Sequence, residues 1–440
     1  MSAPHPRPPV SPAQAWYALA VLMVVFMFSF IDRQILNLLV GPIRRDLHIS
    51  DTQVGLLLGT SFALVYAVLG FPFGRLADTR SRRGLIALGL VVWSTATLLS
   101  GLARSYTQLL LARVGLATGE ATLAPAAYSL IADYFPEERR ATAMGVYSMG
   151  IYLGSGLAFM LGGLVVTTVM QQGPVTLWVL GAVQPWQQVL LLLGAVSLLF
   201  TLVLLTLREP ARASGPALMP WAAVRRYWWQ HRRTLACHHL GFAFVSLSSY
   251  ASSAWLPSYF WRLHGWETGR FAVIYGAIIL VFCSAGALCG GLWADRMRAR
   301  GQRDATLRVG FWAMLASLPL GLLYLLPVSP TLAAGFLAPA AFLLAMPAGV
   351  AAASLQQLVP PQLRGQSTAL YLFVFNVVAL GFGPTSVALL TDYWFADPQA
   401  LGKSMLVVCG GAQAAAAVLL GLGLKPFRQS VEGDAAALRA

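Results

Sequence analysis

Charge is what this sequence has least of. Sixteen acidic and thirty basic residues stand among 440, so 10% of the chain is charged while 58% is hydrophobic. A water-soluble domain carries about 25% charged residues, which excludes an ordinary soluble fold. Cysteine is scarce: Cys237, Cys283, Cys289 and Cys409 fall in or beside apolar runs. They lack metal-ligand spacing, so they are read as inert packing residues and no metal site is expected. The two asparagines, Asn37 and Asn376, open no N-x-Ser/Thr acceptor. No nucleophile with a matched base and no phosphate-binding loop is found, and GxGxxG-like glycine spacing follows no strand. An enzyme and a bound cofactor are therefore not expected. The proline-rich start, 1–15, has Arg7 as its basic residue and no cleavage pattern, and it reads as a short uncleaved cytoplasmic tail.

What is present is a series of apolar runs near 16–39, 54–74, 84–103, 106–130, 142–169, 186–207, 235–260, 270–293, 309–327, 331–357, 366–391 and 402–424. A membrane span needs roughly 20 apolar residues, and backbone groups in lipid must bond internally. The expected fold is an all-α membrane protein of twelve transmembrane helices. Ser50-Asp51-Thr52-Gln53 is a capping box opening the second span. The third, ninth and twelfth runs are nearly featureless and read as lipid-facing scaffold. Twenty-two of the thirty Lys and Arg residues fall on one set of alternate loops, six on the other, and Arg33 and Arg113 inside spans. This bias places both termini in the cytoplasm.

The longest interior connection, 208–233, interleaves Trp221, Tyr227, Trp228 and Trp229 with Arg225, Arg226, Arg232 and Arg233. Between two spans it reads as an amphipathic helix on an anionic leaflet, not as a nucleic-acid surface. It separates two six-helix bundles, 16–207 and 234–424, with a C-terminal tail at 425–440. The bundles repeat weakly. Gly74-x-x-Ala77-Asp78 follows the second run and Gly291-x-x-Ala294-Asp295 the eighth, both trailed by arginines; Pro136-x-x-Arg139 and Pro361-x-x-Arg364 follow the fourth and tenth. Such a parallel repeat places a substrate site between halves near the bilayer midplane.

Four ionisable residues sit in the wrong solvent: Asp32 and Arg33 in the first span, Arg113 and Glu120 in the fourth. Each costs on the order of 2.5–3.5 kcal/mol at mid-bilayer, so they are expected to partner one another around a polar crevice. Ser29, Arg33 and Asn37 form one stripe of the first helix, and Gly115 and Gly119 offer a close helix approach between Arg113 and Glu120. A carboxylate balanced between desolvation and a nearby arginine can take and release a proton, whereas arginine stays charged. Asp32 and Glu120 are the proton-site candidates; Arg33 and Arg113 are charge partners or anion ligands. The alternative is a static ion-pair network ordering the N-terminal half. The later spans offer hydroxyls, His238, His239, Gln356, Gln357 and Asn376. The two histidines read as interfacial packing. Tyr250, Trp255, Tyr275, Phe373, Phe375 and Asn376 are candidates for an amphipathic substrate wall or for plain packing. Glycines in the fifth span (150, 154, 156, 162, 163) and the eleventh (381, 383) mark close packing or bending surfaces.

Gly74-Arg75-Leu76-Ala77-Asp78-Thr79-Arg80-Ser81-Arg82-Arg83 resembles the major facilitator signature G-x-L-A-D-x-x-G-R-R, with Ser81 in place of the last glycine. Asp32-Arg33, the stretch 47–57 and Gly119-Glu120-Ala121 followed by 125–136 resemble the Spinster-like branch of sphingolipid and lysolipid transporters, densely over 28–165. The branch's Asn-Tyr is Ser29-Phe30 here. The resemblance implies a major facilitator fold and a cytoplasmic gate at Gly74, Asp78, Arg82 and Arg83, with Asp295 and Arg296 its repeat counterparts. In it, Asp78 and the arginines latch against the eleventh helix. It further implies proton-linked transport of an amphipathic, lipid-like molecule. The reading that follows is a monomeric, multi-pass bacterial inner-membrane transporter whose partners are substrate, protons and membrane lipids. A broad drug/proton antiporter, an organic anion carrier and a non-transporting lipid-sensing receptor stand as alternatives.

Overall fold

Apolar runs that must satisfy their own backbone settle as helices. The computed structural model describes residues 11–177, 181–210, 221–360 and 363–437, with backbone alone at 71, 78, 137, 138, 140–142, 177, 221, 223, 349, 364, 365 and 433–437. Among the described residues, twelve long helical runs follow one another. They are α1 (Pro12–Leu47), α2 (51–79), α3 (Arg82–Gly101), α4 (106–134), α5 (Glu137–Gln172), α6 (Pro185–Leu204), α7 (Arg232–His264), α8 (Thr268–Ala299), α9 (Ala305–Leu320), α10 (Pro330–Leu358), α11 (364–394) and α12 (Leu401–Ala437). Ten are long and apolar enough to cross a membrane. The other two fall short for local reasons. α4 breaks into Tyr106–Glu120 and Leu123–Tyr134, where Pro125 removes an amide from the helical ladder. α7 carries two histidines and a run of serines.

Several helices outrun their expected ends; α12 continues from 424 to 437. A two-stranded hairpin, Val175–Leu177 with Gly181–Val183, joins α5 to α6. The predicted Ser50–Gln53 capping box opens α2. α2 and α8, the helices that the sequence repeat relates, each contain a π-turn, at Leu56–Thr60 and Ile279–Cys283. α11 contains two, Asn376–Phe382 and Leu390–Trp394.

Two compact units divide the chain, and they cut across α1, α2 and α5. The first comprises Met1–Arg33, Val65–Ala158 and Val165–Gly215; the second comprises Gln34–Leu64, Phe159–Leu164 and Pro216–Ala440. At the centre of the first unit lies α3. Its apolar window is 61% buried, the largest share among the ten candidate spans, so the expectation of a lipid-facing scaffold helix is corrected. Small residues explain the difference: a Cβ on Gly89 would fall 2.7 Å from Gly119 O of α4, and one on Gly101 would fall 2.8 Å from Gln187 O of α6.

In the second unit, α9 and α12 are not featureless either. Ser317 of α9 donates to Gln413 of α12 at 3.1 Å, and Gln413 donates to Ser248 of α7 at 3.0 Å, all three buried. Such bonds hold helices together where lipid gives no hydrophobic drive. The connection 208–233 contains a helix, Trp221–Gln230; 211–220 lies outside the described residues. Tyr227 donates to Leu358 O at 2.6 Å and Trp228 Nε1 to Ser367 Oγ at 3.0 Å, while Arg225, Arg226 and Trp229 stay exposed.

Candidate functional site

Within the first unit, α1, α3 and α4 bring the four intramembrane charges together. Glu120 ends the upper piece of α4 and is buried. Its Oε2 accepts from Ser29 Oγ at 2.6 Å and Arg33 Nε at 2.7 Å, and Arg33 Nη2 bonds the same oxygen. Its Oε1 is buried without a hydrogen-bond partner among the described residues. Asp32, one residue earlier on α1, turns to α3: Thr97 Oγ1 donates to its Oδ1 at 2.9 Å, and its Oδ2 is likewise buried and unpartnered. Arg113 is buried and within electrostatic reach of Glu120, Asp32 and Arg33. The Arg33 guanidinium also lies 5.2 Å from the ring centroids of both Phe30 and Tyr66, a cation–π seat.

Two carboxyls and two guanidiniums cancel formally, which is what a low-dielectric interior requires of buried charge. The close approach of α3 to α4 holds the group in register. A Cβ on Gly119 would sit 2.6 Å from Gly89 O and from Trp93 N, so this glycine of the predicted small-residue pair allows the contact. Gly115 is looser, 3.3 Å from Ala96 Cβ.

A second constellation lies in the second unit, where the start of α2 meets the ends of α7 and α11. Asp51, the first residue of α2, is fully buried and receives Arg262 of α7 through two bonds of 2.6 and 2.7 Å, with Arg44 Nε at 3.4 Å. Thr52 gives its amide and hydroxyl to Asp392 Oδ2 of α11 at 2.6 and 2.7 Å. Further along the same two helices, Thr60 donates to Gly381 O at 2.8 Å and Thr385 to Gly55 O at 3.0 Å. A Cβ on Gly59 would lie 2.6 Å from Leu380 O, so α2 and α11 meet backbone to backbone there.

Residues 22–384 match the Major Facilitator Superfamily. The chain belongs to that superfamily, whose members are membrane transporters and not enzymes. It is 31% identical over 430 residues to an MFS-type efflux pump of Mycolicibacterium smegmatis, covering 96% of both chains. It is 26% identical over 305 residues to the sphingosine-1-phosphate transporter SPNS2 of Danio rerio, covering 65% of this chain and 58% of that one. The crystal structure of a bacterial homolog of the human lysosomal transporter Spinster, in an inward-facing and unoccupied conformation, superposes with a TM-score of 0.78 at 26% identity. That match covers 96% of this chain and 98% of the other. The Spinster-like character read from the first, second and fourth spans thus extends over the whole chain.

The remaining site candidates of this major facilitator fall in three places. Asn37 leaves the charge cluster: its amide donates at 2.6 Å to Gln34, which also accepts from Ser253 of α7 at 3.0 Å. Trp255 is fully buried and donates to Pro384 O at 2.9 Å, a packing role. Asn376 bonds Leu372 O of its own helix at 2.7 Å, beside the π-turn, while Tyr250 stacks edge-on with Phe375 and Phe373 is exposed. Of the cytoplasmic gate candidates, Arg82 is buried within the first unit. It bonds Asp133 and reaches Glu209 Oε1 through its amide at 2.7 Å and Nε at 3.2 Å, Ser129 Oγ at 3.1 Å and Pro210 O at 3.1 Å. Burial works against the Glu209 charge, yet bonds from Ser81 and Arg82 hold its carboxyl below the ordinary range. Arg83 donates to Leu207 O at 2.8 Å. Gly74 has open space around it, and Asp295 and Arg296 are exposed. The Asp78 side chain lies outside the described residues.

Sequence reading missed Asp51, Arg262, Asp392 and Gln34 as site residues. Asp51 stood in a capping box and Arg262 in a loop count, and nothing local joins residues 211 positions apart. The available signal was an acidic residue at the mouth of one span and an arginine at the mouth of another on the same side of the arginine count.

Proposed function

We propose that this protein is a proton-coupled secondary transporter that moves an amphipathic, lipid-like molecule across the bacterial inner membrane by alternating access. Its working parts are the six-helix halves 16–207 and 234–424. Asp32 and Glu120 carry the coupling protons, and Arg33 and Arg113 exchange between them and an anionic substrate head.

The observation that carries the reading is the division of labour within each carboxyl. In both, one oxygen is anchored by donors and the other is buried with no hydrogen-bond partner among the described residues. A proton can join the second oxygen without dismantling the anchor. On Glu120 that proton removes the charge but not the geometry: the Arg33 bonds lose their charge assistance, and the guanidinium, which sits against two aromatic rings, can be shared with an anionic head. Such a seat suits a phosphate or carboxylate head joined to an apolar tail. The sphingosine-1-phosphate relative supports the lipid-like substrate, and the mycobacterial relative supports a second reading, broad efflux of amphipathic compounds.

Purified protein in proteoliposomes separates these readings. Flux of lysolipids, sphingoid lipids and cationic drugs is measured with and without an imposed pH gradient. The expected result is gradient-driven flux in wild type and its loss in Glu120→Gln, with substrate binding retained. A pH dependence that survives unchanged in both Asp32→Asn and Glu120→Gln removes the proton-site assignment. Binding without any flux favours the receptor alternative.

A further inference from the structure

Near the start of α7 two consecutive imidazoles are buried, at 0% exposure for His238 and 4% for His239. His238 Nε2 lies 3.0 Å from Ala351 O and 2.7 Å from Ser354 Oγ, both on α10. A carbonyl oxygen only accepts, and the Ser354 hydroxyl already donates its single proton to the same carbonyl at 2.8 Å. His238 Nε2 therefore carries a proton, and the neutral ring presents a lone pair at Nδ1. That atom stands 3.0 Å from His239 Nδ1. Two lone pairs cannot share this distance, so His239 Nδ1 carries the next proton and donates it. The chain of tautomers ends at His239 Nε2, a lone pair that is buried and has no hydrogen-bond partner among the described residues.

We propose that His239 Nε2 is a proton-binding site of its own, in the second unit and independent of Asp32 and Glu120. Uptake there leaves every existing bond in place, because His239 Nδ1 goes on donating to His238. No step in the relay has to turn a ring over. The groups facing the pair are few. From α10 comes the Ser354 hydroxyl; from α11 comes Tyr371, its ring centroid 5.4 Å from His238 and 5.5 Å from His239; from α7 itself comes Phe242, 4.9 Å from His238. Among the described residues, no Asp, Glu, Lys or Arg acts electrostatically on either ring. A proton on His239 thus creates an uncompensated imidazolium beside the Tyr371 ring, where cation–π attraction is the available response. Tyr371 lies on Arg364–Phe375, the opening segment of α11, so protonation draws that segment toward α7. Acid then acts on the second unit directly, and not only through the carboxyls of the first.

Full-length protein labelled with 15N-histidine, in lipid nanodiscs, reads this site by NMR. Of the six histidines, this pair alone is expected to show coupling across an Nδ1–H···Nδ1 bond, which assigns it without a variant. The expected result is a His238 that keeps its Nε2 proton unchanged and a His239 whose Nε2 goes from bare to protonated as pH falls. A His239 Nε2 that stays bare down to about pH 4, more than two units below an ordinary imidazole pKa, overturns the proposal. So does a pair found in the opposite tautomer.

In proteoliposomes, His239→Gln is expected to keep gradient-driven flux while losing an acid-dependent change in apparent substrate affinity of about fivefold. Unaltered pH dependence of affinity in that variant also overturns the proposal. Glu120→Gln should lose driven flux and keep the affinity change, so the two assignments fail separately.

Discussion

Thr97 shows how much of this site rests on residues that never change charge. Its hydroxyl donates to Asp32 Oδ1 and fixes which oxygen of that carboxyl is occupied. Thr97→Val keeps the volume and leaves a buried acceptor unsatisfied, a loss of about 1–3 kcal/mol. Gradient-driven flux is expected to fall about tenfold with the protein still folded; flux equal to wild type would show that Asp32 needs no anchor. The four charges were legible in the sequence because a membrane span makes ionisable residues expensive. Their pairing was only partly so. Glu120 was expected to share its surroundings with Arg113, its neighbour two turns away on one helix face. Arg113 does lie within electrostatic reach, and α1 adds Arg33 and Ser29, which donate to Glu120 Oε2.

Among the elements, α12 runs past the span that its apolar residues define, and its extension is tied down. Asp304, in the turn after α8, is buried and accepts from Arg308 at 2.8 Å and from Arg428 of α12 at 2.8 Å. Burial opposes its charge, but these bonds outweigh it and hold the carboxyl below its ordinary value. A depressed carboxyl contributes stability that is fully present above the unfolded value near pH 4 and disappears as pH falls through the folded one. Asp304→Asn should therefore unfold at a lower temperature than wild type at pH 7, on the order of 1–2 °C. The gap should close below about pH 4; a gap that persists at low pH would mean the arginines contribute through packing. Element ends are where sequence reading was least accurate. The apolar runs gave all twelve helices, yet the polar extensions, the π-turns and the burial of α3 depend on partners that composition does not name. Gly89 and Gly101 were present in α3 all along, but a glycine does not announce which helix comes to fill its space.

At the scale of the molecule, the Asp51–Arg262 pair joins the start of α2 to the end of α7 and stands with Thr52–Asp392 at one end of the second unit. Removing one member of such a buried pair costs about 3–5 kcal/mol, since the other charge is stranded. Asp51→Ala is expected to open this end, read as faster labelling of a cysteine introduced at Thr60 by a membrane-impermeant reagent. The exchange Asp51→Arg with Arg262→Asp should restore slow labelling, and failure of the exchange would mark Asp51 as a helix-capping residue only. The arginine count predicted which loops share a side, and the structure collects the mouths of α2 and α7 and the end of α11 at one end of the second unit. The individual contacts, formed between residues some 200 to 340 positions apart, follow from folding and have no local trace.

α1 is a single unbroken rod of 36 residues, and two adjacent positions on it answer to different neighbours. Arg33 grips Glu120 in one unit while Gln34 takes the Ser253 hydroxyl in the other. Successive side chains on a helix point about 100° apart, so neighbouring positions of one rod serve two different sets of partners.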